Sequence, residues 1–140
     1  MQKYYLFLIV SIFLFWNSVQ AQEVSTPSLT RGLQFYNESK FDQALRELSK
    51  LIEKDPSNIE AHYFKGLTFN KAEKADQAVA TFKKVLELDS KYSGAHLQLG
   101  IAYYKLKSNK EAIEEFNIVL EKNSENANAN LFMGFTLQQM

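Results

Sequence analysis

The sequence predicts an all-α fold, an antiparallel helix-hairpin solenoid of three full repeats plus a terminal unpaired helix. Three observations point there: a glycine returning at a fixed stride, other columns in register with it, and short polar breaks between one-sided helical stretches. Gly32, Gly66, Gly100 and Gly134 stand 34 residues apart, and self-similarity at such a period marks stacked helix pairs. A glycine inside a helix costs about 1 kcal/mol relative to alanine. Glycines kept in one register therefore call for a shared packing reason. Ala44, Ala78 and Ala112 follow twelve positions on, Leu48, Phe82 and Phe116 sixteen on, and Leu51, Val85 and Val119 form a further column. Three residues after the glycines stand Phe35, Phe69 and Tyr103, with Leu137 in the fourth place.

The N-terminal stretch stands outside this pattern. Met1 to Lys3 carries one positive charge, Tyr4 to Trp16 is apolar apart from Ser11, and Val19-Gln20-Ala21 supplies the small, spaced residues a signal peptidase reads. Residues 1–21 are thus expected to be a secretory signal peptide, cleaved before Gln22. The apolar run is too short for an uncleaved anchor, since as a helix it rises only about 20 Å against a hydrocarbon core of roughly 30 Å. The chain has no cysteine, which excludes a lipoprotein anchor and disulfide staples alike. The expected location is exported, periplasmic or secreted, with no membrane association after cleavage. Residues 22–27 read as a linker, and the repeat domain spans 28–140, with repeats near 25–58, 59–92 and 93–126 and a partial repeat at 127–140.

Within each repeat the second helix is the clearer element. Ala44, Leu45, Leu48, Leu51 and Ile52 recur at the spacing of one helical face. The pattern returns at Ala78, Val79, Phe82, Val85 and Leu86, and again at Ala112, Ile113, Phe116, Val119 and Leu120. The breaks Asn37 to Lys40, Lys71 to Lys74 and Lys107 to Asn109 leave room only for antiparallel neighbours. Asp42 and Asp76 suit the positive end of the second-helix dipole. Lys110 departs from that habit, with Ser108 or Asn109 expected to cap and Glu111 to restore the charge. Glycine and alanine are expected to let the two helices of a hairpin approach closely, so leucine at Gly66 or Ala78 should overpack the crossing by about 1–3 kcal/mol.

From about Ser25 to its end the chain resembles the tetratricopeptide repeat, a two-helix unit of this period that winds into a right-handed superhelix. The tryptophan that the resemblance implies four residues before each glycine is Ser28, His62, His96 and Asn130. The proline implied after the second helix survives as Pro56, while Ser90 and Ser124 stand at the later joints and predict looser ones.

The resemblance also implies an inner wall formed by the first helices. Residues three before, one after and four after each glycine are Leu29, Leu33, Tyr36, then Tyr63, Leu67, Asn70, then Leu97, Ile101, Tyr104, and last Leu131, Phe135, Gln138. Ten of these twelve are apolar or aromatic. Related domains clamp a peptide carboxylate with lysine, arginine and asparagine, but the matching places here hold Leu29, Leu33, Phe64, Gly94 and Gln98. With that clamp absent, the groove is expected to take an apolar peptide segment or helix of a protein partner. Packing between adjacent first helices, or the linker folding back, would cover part of it.

Catalytic chemistry has little support. His62 and His96 are the only histidines and occupy equivalent places, about 8–10 Å apart on neighbouring helices, too far for one metal ion. They are read as filling the tryptophan column at a packing seam. Glu111, Glu114 and Glu115 are read as a solvated face opposite Ile113 and Phe116. No phosphate loop, metal-ligand spacing or nucleophile with a base in register occurs, so no catalytic residue, metal or cofactor is expected. Without the signal, fifteen basic residues face sixteen acidic ones, and no basic stripe exists to draw nucleic acid. After Glu125 no charged residue follows to Met140, and Phe132, Met133 and Leu137 should leave the last helix adhesive. Either that end docks, most simply on a second copy, or the reading frame continues into further repeats. Two functions follow: a protein-interaction scaffold in the cell envelope, or an assembly subunit that oligomerises through its apolar C-terminal helix.

Overall fold

The computed structural model describes residues 28–140, and the expected signal peptide and linker lie outside the described residues. The seven helices there are α1 (Leu29–Asn37), α2 (Phe41–Lys54), α3 (Ile59–Lys71), α4 (Ala75–Leu88), α5 (Ser93–Lys105), α6 (Asn109–Lys122) and α7 (Ala127–Gln138). Among the described residues there is no strand. α1 to α6 form three hairpins, and α7 takes the place of a fourth first helix.

Each hairpin closes the same way. Ser39, Glu73 and Lys107, one stride apart, adopt φ of 58°, 56° and 59°. The next residue's N–H then reaches back to the helix, Lys40 to the Phe35 carbonyl at 2.8 Å, Lys74 to Phe69 at 2.9 Å and Ser108 to Tyr103 at 3.0 Å. A left-handed residue followed by such a long backward bond satisfies the last carbonyls and reverses the chain at once.

The joints between repeats are equally uniform. Asp55, Asp89 and Asn123 each accept, through the side chain, the N–H two residues on: Ser57 at 3.2 Å, Lys91 at 2.9 Å and Glu125 at 3.1 Å. Hydrogen bonds from Ser57 and Asn58 also hold the Asp55 carboxyl below its usual range. The later joints, expected to be looser without proline, make the same turn bond as the first, because that bond comes from the residue before the proline position. Ser28, Asn58 and Asn126 cap α1, α3 and α7 by accepting from Arg31, Ala61 and Ala129. The cap expected on α6 is missing: Ser108 makes no capping bond, and the Asn109 Oδ1 is buried without a partner.

The glycine columns and the bulky columns meet directly. A Cβ built on Gly32, Gly66 or Gly100 would stand 2.8, 2.6 or 2.5 Å from Leu48, Phe82 or Phe116 respectively. The sequence suggested alanine opposite the glycine, but the large side chain presses there, while Ala44, Ala78 and Ala112 are fully buried beside it. No glycine has positive φ, so the requirement is for space. First helices pack against the next first helices, α1 on α3, α3 on α5 and α5 on α7, whereas second helices show no such close backbone approach to one another among the described residues. The first helices are therefore the tighter, inner side of the stack.

Candidate functional site

On the inner wall, Leu29, Leu33, Tyr36, Tyr63, Leu67, Leu97, Ile101 and Tyr104 are half-buried. At the α7 end, Leu131 is 51% and Phe135 42% exposed. Gln138 is exposed as well. Four of the expected residues, Tyr36, Leu67, Asn70 and Ile101, converge on one cleft of about 410 Å³. Leu33 lines a separate hollow on α1 with Thr30 and Asn37, and the remaining expected residues line neither.

Several groups in the cleft lay outside the twelve wall positions read from sequence, although Gln98 was one of the clamp places. Phe41, Gln98 and Phe132 line it, as do Lys71, Glu73 and Lys105 at its turn end. The Lys71 ammonium stands 4.9 Å from the Tyr36 ring centroid, a cation–π arrangement. The Lys105 Nζ donates to the Asn70 carbonyl at 2.7 Å and to Glu73 at 3.0 Å. Lys71 and Lys105 are one stride apart at first-helix ends, so the register could have found them. Asn70 is a tie rather than open wall. Its amide donates to the Gln98 carbonyl at 3.1 Å and to the Gln98 side chain at 3.2 Å, holding α3 to α5, while its own Oδ1 is buried without a partner.

Aromatic side chains continue along the wall. Phe64 meets Tyr36 and Tyr63 edge-on, and Tyr63 lies 4.9 Å from Tyr92 between centroids. Burial first, then the neighbouring Tyr92 and Tyr36, push the Tyr63 phenol up. A Cβ on Gly94 would meet the Tyr63 hydroxyl at 3.0 Å, so that position serves aromatic packing. At the other end Phe132 contacts Tyr104, Phe116 and Phe135. Phe132 and Met133 are half-buried; the exposed large apolar residues of α7 are Leu131, Phe135 and Leu137.

Residues 29–93 and residues 69–139 match the tetratricopeptide repeat. The chain belongs to the tetratricopeptide repeat family. Among solved structures of tetratricopeptide repeat domains, it is similar to that of Arabidopsis OM64, with a TM-score of 0.76 and 21% identity over 86% of this chain and 98% of the other. The second such domain of human RPAP3, solved with the HSP70 peptide SGPTIEEVD, gives a TM-score of 0.74 and 25% identity over 77% and 90%. MamA gives 0.74 and 26%, the match covering 78% of this chain and 64% of MamA. Comparison with curated proteins gives no match.

The tryptophan column of this tetratricopeptide repeat chain is polar throughout and is buried at its two histidines, Ser28 being half-buried and Asn130 exposed. His62 and His96 are 9% and 8% exposed, as expected of seam residues. The His62 Nε2 lies 3.0 Å from the Pro56 carbonyl and the His96 Nε2 3.2 Å from that of Ser90. Asn130 donates to the Ser124 carbonyl at 2.9 Å. The solvated reading of the α6 acids fails for Glu115, whose Oε2 lies 2.6 Å from the His96 Nδ1, both side chains being mostly buried. Both ring nitrogens thus face oxygen. Among the described residues no group of three or more His, Cys, Asp or Glu is placed to hold a metal ion, and no helix is long and apolar enough to cross a membrane.

Proposed function

We propose that this chain is a non-enzymatic protein-interaction scaffold of the cell envelope, capturing an apolar peptide segment or helix of a partner on its inner wall. The observation that carries the reading is the cleft where Tyr36, Leu67 and Ile101 converge from three successive first helices, joined by Phe41 and Phe132. A surface concave, apolar and bounded by a few polar groups is what a peptide anchor needs. Peptide complexes of structural neighbours support the general mode: one is RPAP3 with an HSP70 peptide, another the TPR2B domain of yeast Sti1 with pHsp70. An apolar segment is favoured over a bare carboxylate because Leu29, Leu33, Phe64, Gly94 and Gln98 supply no cation at the clamp positions. One buried anchor side chain contributes about 1.5–3 kcal/mol before ordering costs.

Affinity capture from an envelope fraction, with wild type and Ile101→Asp side by side, tests this reading. The variant is expected to lose the captured partner while keeping its helical circular dichroism. Equal capture by both would refute the groove, and recovery of the partner only from the cytosol would refute the envelope assignment.

A second reading, assembly through the C-terminal helix, is supported by α7. A Cβ on Gly134 would meet nothing within 4 Å, and Leu137 is 57% exposed. Leu137→Glu should then convert an oligomer to monomer in sedimentation, whereas a wild-type monomer at high concentration would end this reading. Phe132 is unsuited to that test, because its ring belongs to the packing around Phe116 and Tyr104.

A further inference from the structure

Resting on the groove reading above, we propose that the partner segment carries acidic residues beside its apolar anchor, and that these dock on a basic rim centred on Lys71 and Arg46. Next to the anchor cleft, at the turn edge of the first two repeats, lies a second hollow of about 780 Å³. The two share Phe41, Lys71 and Glu73. A peptide leaving the anchor over Phe41 therefore passes Lys71 and enters this hollow.

The charge on that path is one-sided. Lys40, Arg46, Lys71, Lys74 and Lys105 line the joined clefts against only two carboxylates, Asp42 and Glu73, in a chain whose formal net charge is zero. Both carboxylates are engaged, Glu73 with Lys105 at 3.0 Å and Asp42 with Lys74 at 3.9 Å, and Lys40 has Glu38 at 2.7 Å. Arg46 and Lys71 make no ion pair among the described residues. Lys71 is exposed and rests on the Tyr36 ring, which places its charge at the mouth of the anchor cleft. Arg46 and Lys71 are not among the five clamp positions, although Gln98, which is, lines the same cleft as Lys71, so the rim selects for acidic side chains flanking the anchor rather than for a chain-terminal carboxylate. A basic flank would be repelled.

The experiment uses the full chain and fluorescein-labelled peptides that share a Leu/Ile/Phe-rich core and end in three glutamates, three serines or three lysines, each tail placed at either end. Fluorescence anisotropy should show the glutamate peptide binding about five-fold tighter than the serine peptide at low salt, with the ratio shrinking in high salt. In the Arg46→Ser, Lys71→Gln double variant, that ratio should fall to near one, with helical circular dichroism unchanged. Equal affinities for all three tails, with binding still abolished by Ile101→Asp, would overturn the rim and leave the groove standing. A preference for lysine would also overturn it. Failure of every peptide to bind would overturn the groove and the rim together.

Discussion

Alanine at Gly100 and at Gly134 should move stability in opposite directions, although the two glycines occupy the same place in the repeat. At Gly100 the new Cβ would stand 2.5, 2.8 and 3.0 Å from the Phe116 Cε1, Cδ1 and Cζ. The ring has no easy retreat, being fully buried and stacked on Phe132 at 6.4 Å. Overpacking a core costs about 1–3 kcal/mol, and three short contacts on one trapped ring argue for the upper end. Helix propensity returns about 1 kcal/mol for glycine to alanine, leaving a net loss of roughly 2 kcal/mol. At Gly134 nothing lies within 4 Å, so the propensity gain of up to about 1 kcal/mol stands alone. Urea unfolding followed by circular dichroism, at unchanged slope, should place the Gly100→Ala midpoint below wild type and the Gly134→Ala midpoint at or above it. If Gly100→Ala matches wild type, or both variants fall alike, the glycine column does not exist to admit the bulky column.

Three further outcomes follow from other parts of the fold. Removing either His96 or Glu115 by alanine should cost about 1–3 kcal/mol, because each leaves a mostly buried polar partner unsatisfied; a double-mutant cycle with no coupling would contradict the pairing. Lys107→Gly should stabilise by up to about 1 kcal/mol by relieving a left-handed backbone, and Lys107→Val should destabilise; thermal melts giving the same sign for both would contradict the turn geometry. The Tyr63 phenol is raised in the folded state by burial, then by Tyr92 and Tyr36. Its stabilising contribution is thus fully present below the unfolded value of roughly 10 and lost as pH rises through the folded value. Urea midpoints from pH 9 to 11 should fall less steeply for Tyr63→Phe than for wild type, and parallel curves would refute the burial.

Most of the architecture was legible because one stride imposes one geometry. The glycine and bulky columns fix which helices pair, and the one-sided Ala78, Phe82 and Val85 face fixes what each buries. The site was legible only in part. Tyr36, Leu67 and Ile101 share a cleft as the register implied, but Phe41 enters it from the start of α2 and Lys71 from the last turn of α3. Those places depend on the hairpin turn, where a left-handed Ser39 or Glu73 redirects the chain without the glycine that would have marked it. The Glu115 pairing was hidden for a different reason. Its counterparts one and two strides earlier are Thr81 and Glu47, and those of His96 are His62 and Ser28, so across these two columns only His96 and Glu115 combine a histidine with a carboxylate. A column average shows no such pair.

The seam also explains why the joints tolerate the exchange of proline for serine. What His62, His96 and Asn130 hold is the backbone carbonyl at positions 56, 90 and 124, which proline and serine present equally well. The side chains of Asp55, Asp89 and Asn123 hold the N–H groups on the other side of that carbonyl. Each joint is thus fixed from both directions through the main chain, and the residue between the two anchors is free to vary. A polar group in the tryptophan column supplies one of those anchors. The same pair of bonds is made at the joint that keeps Pro56 and at the two that carry serine, so the turn does not depend on the fixed φ that proline supplies.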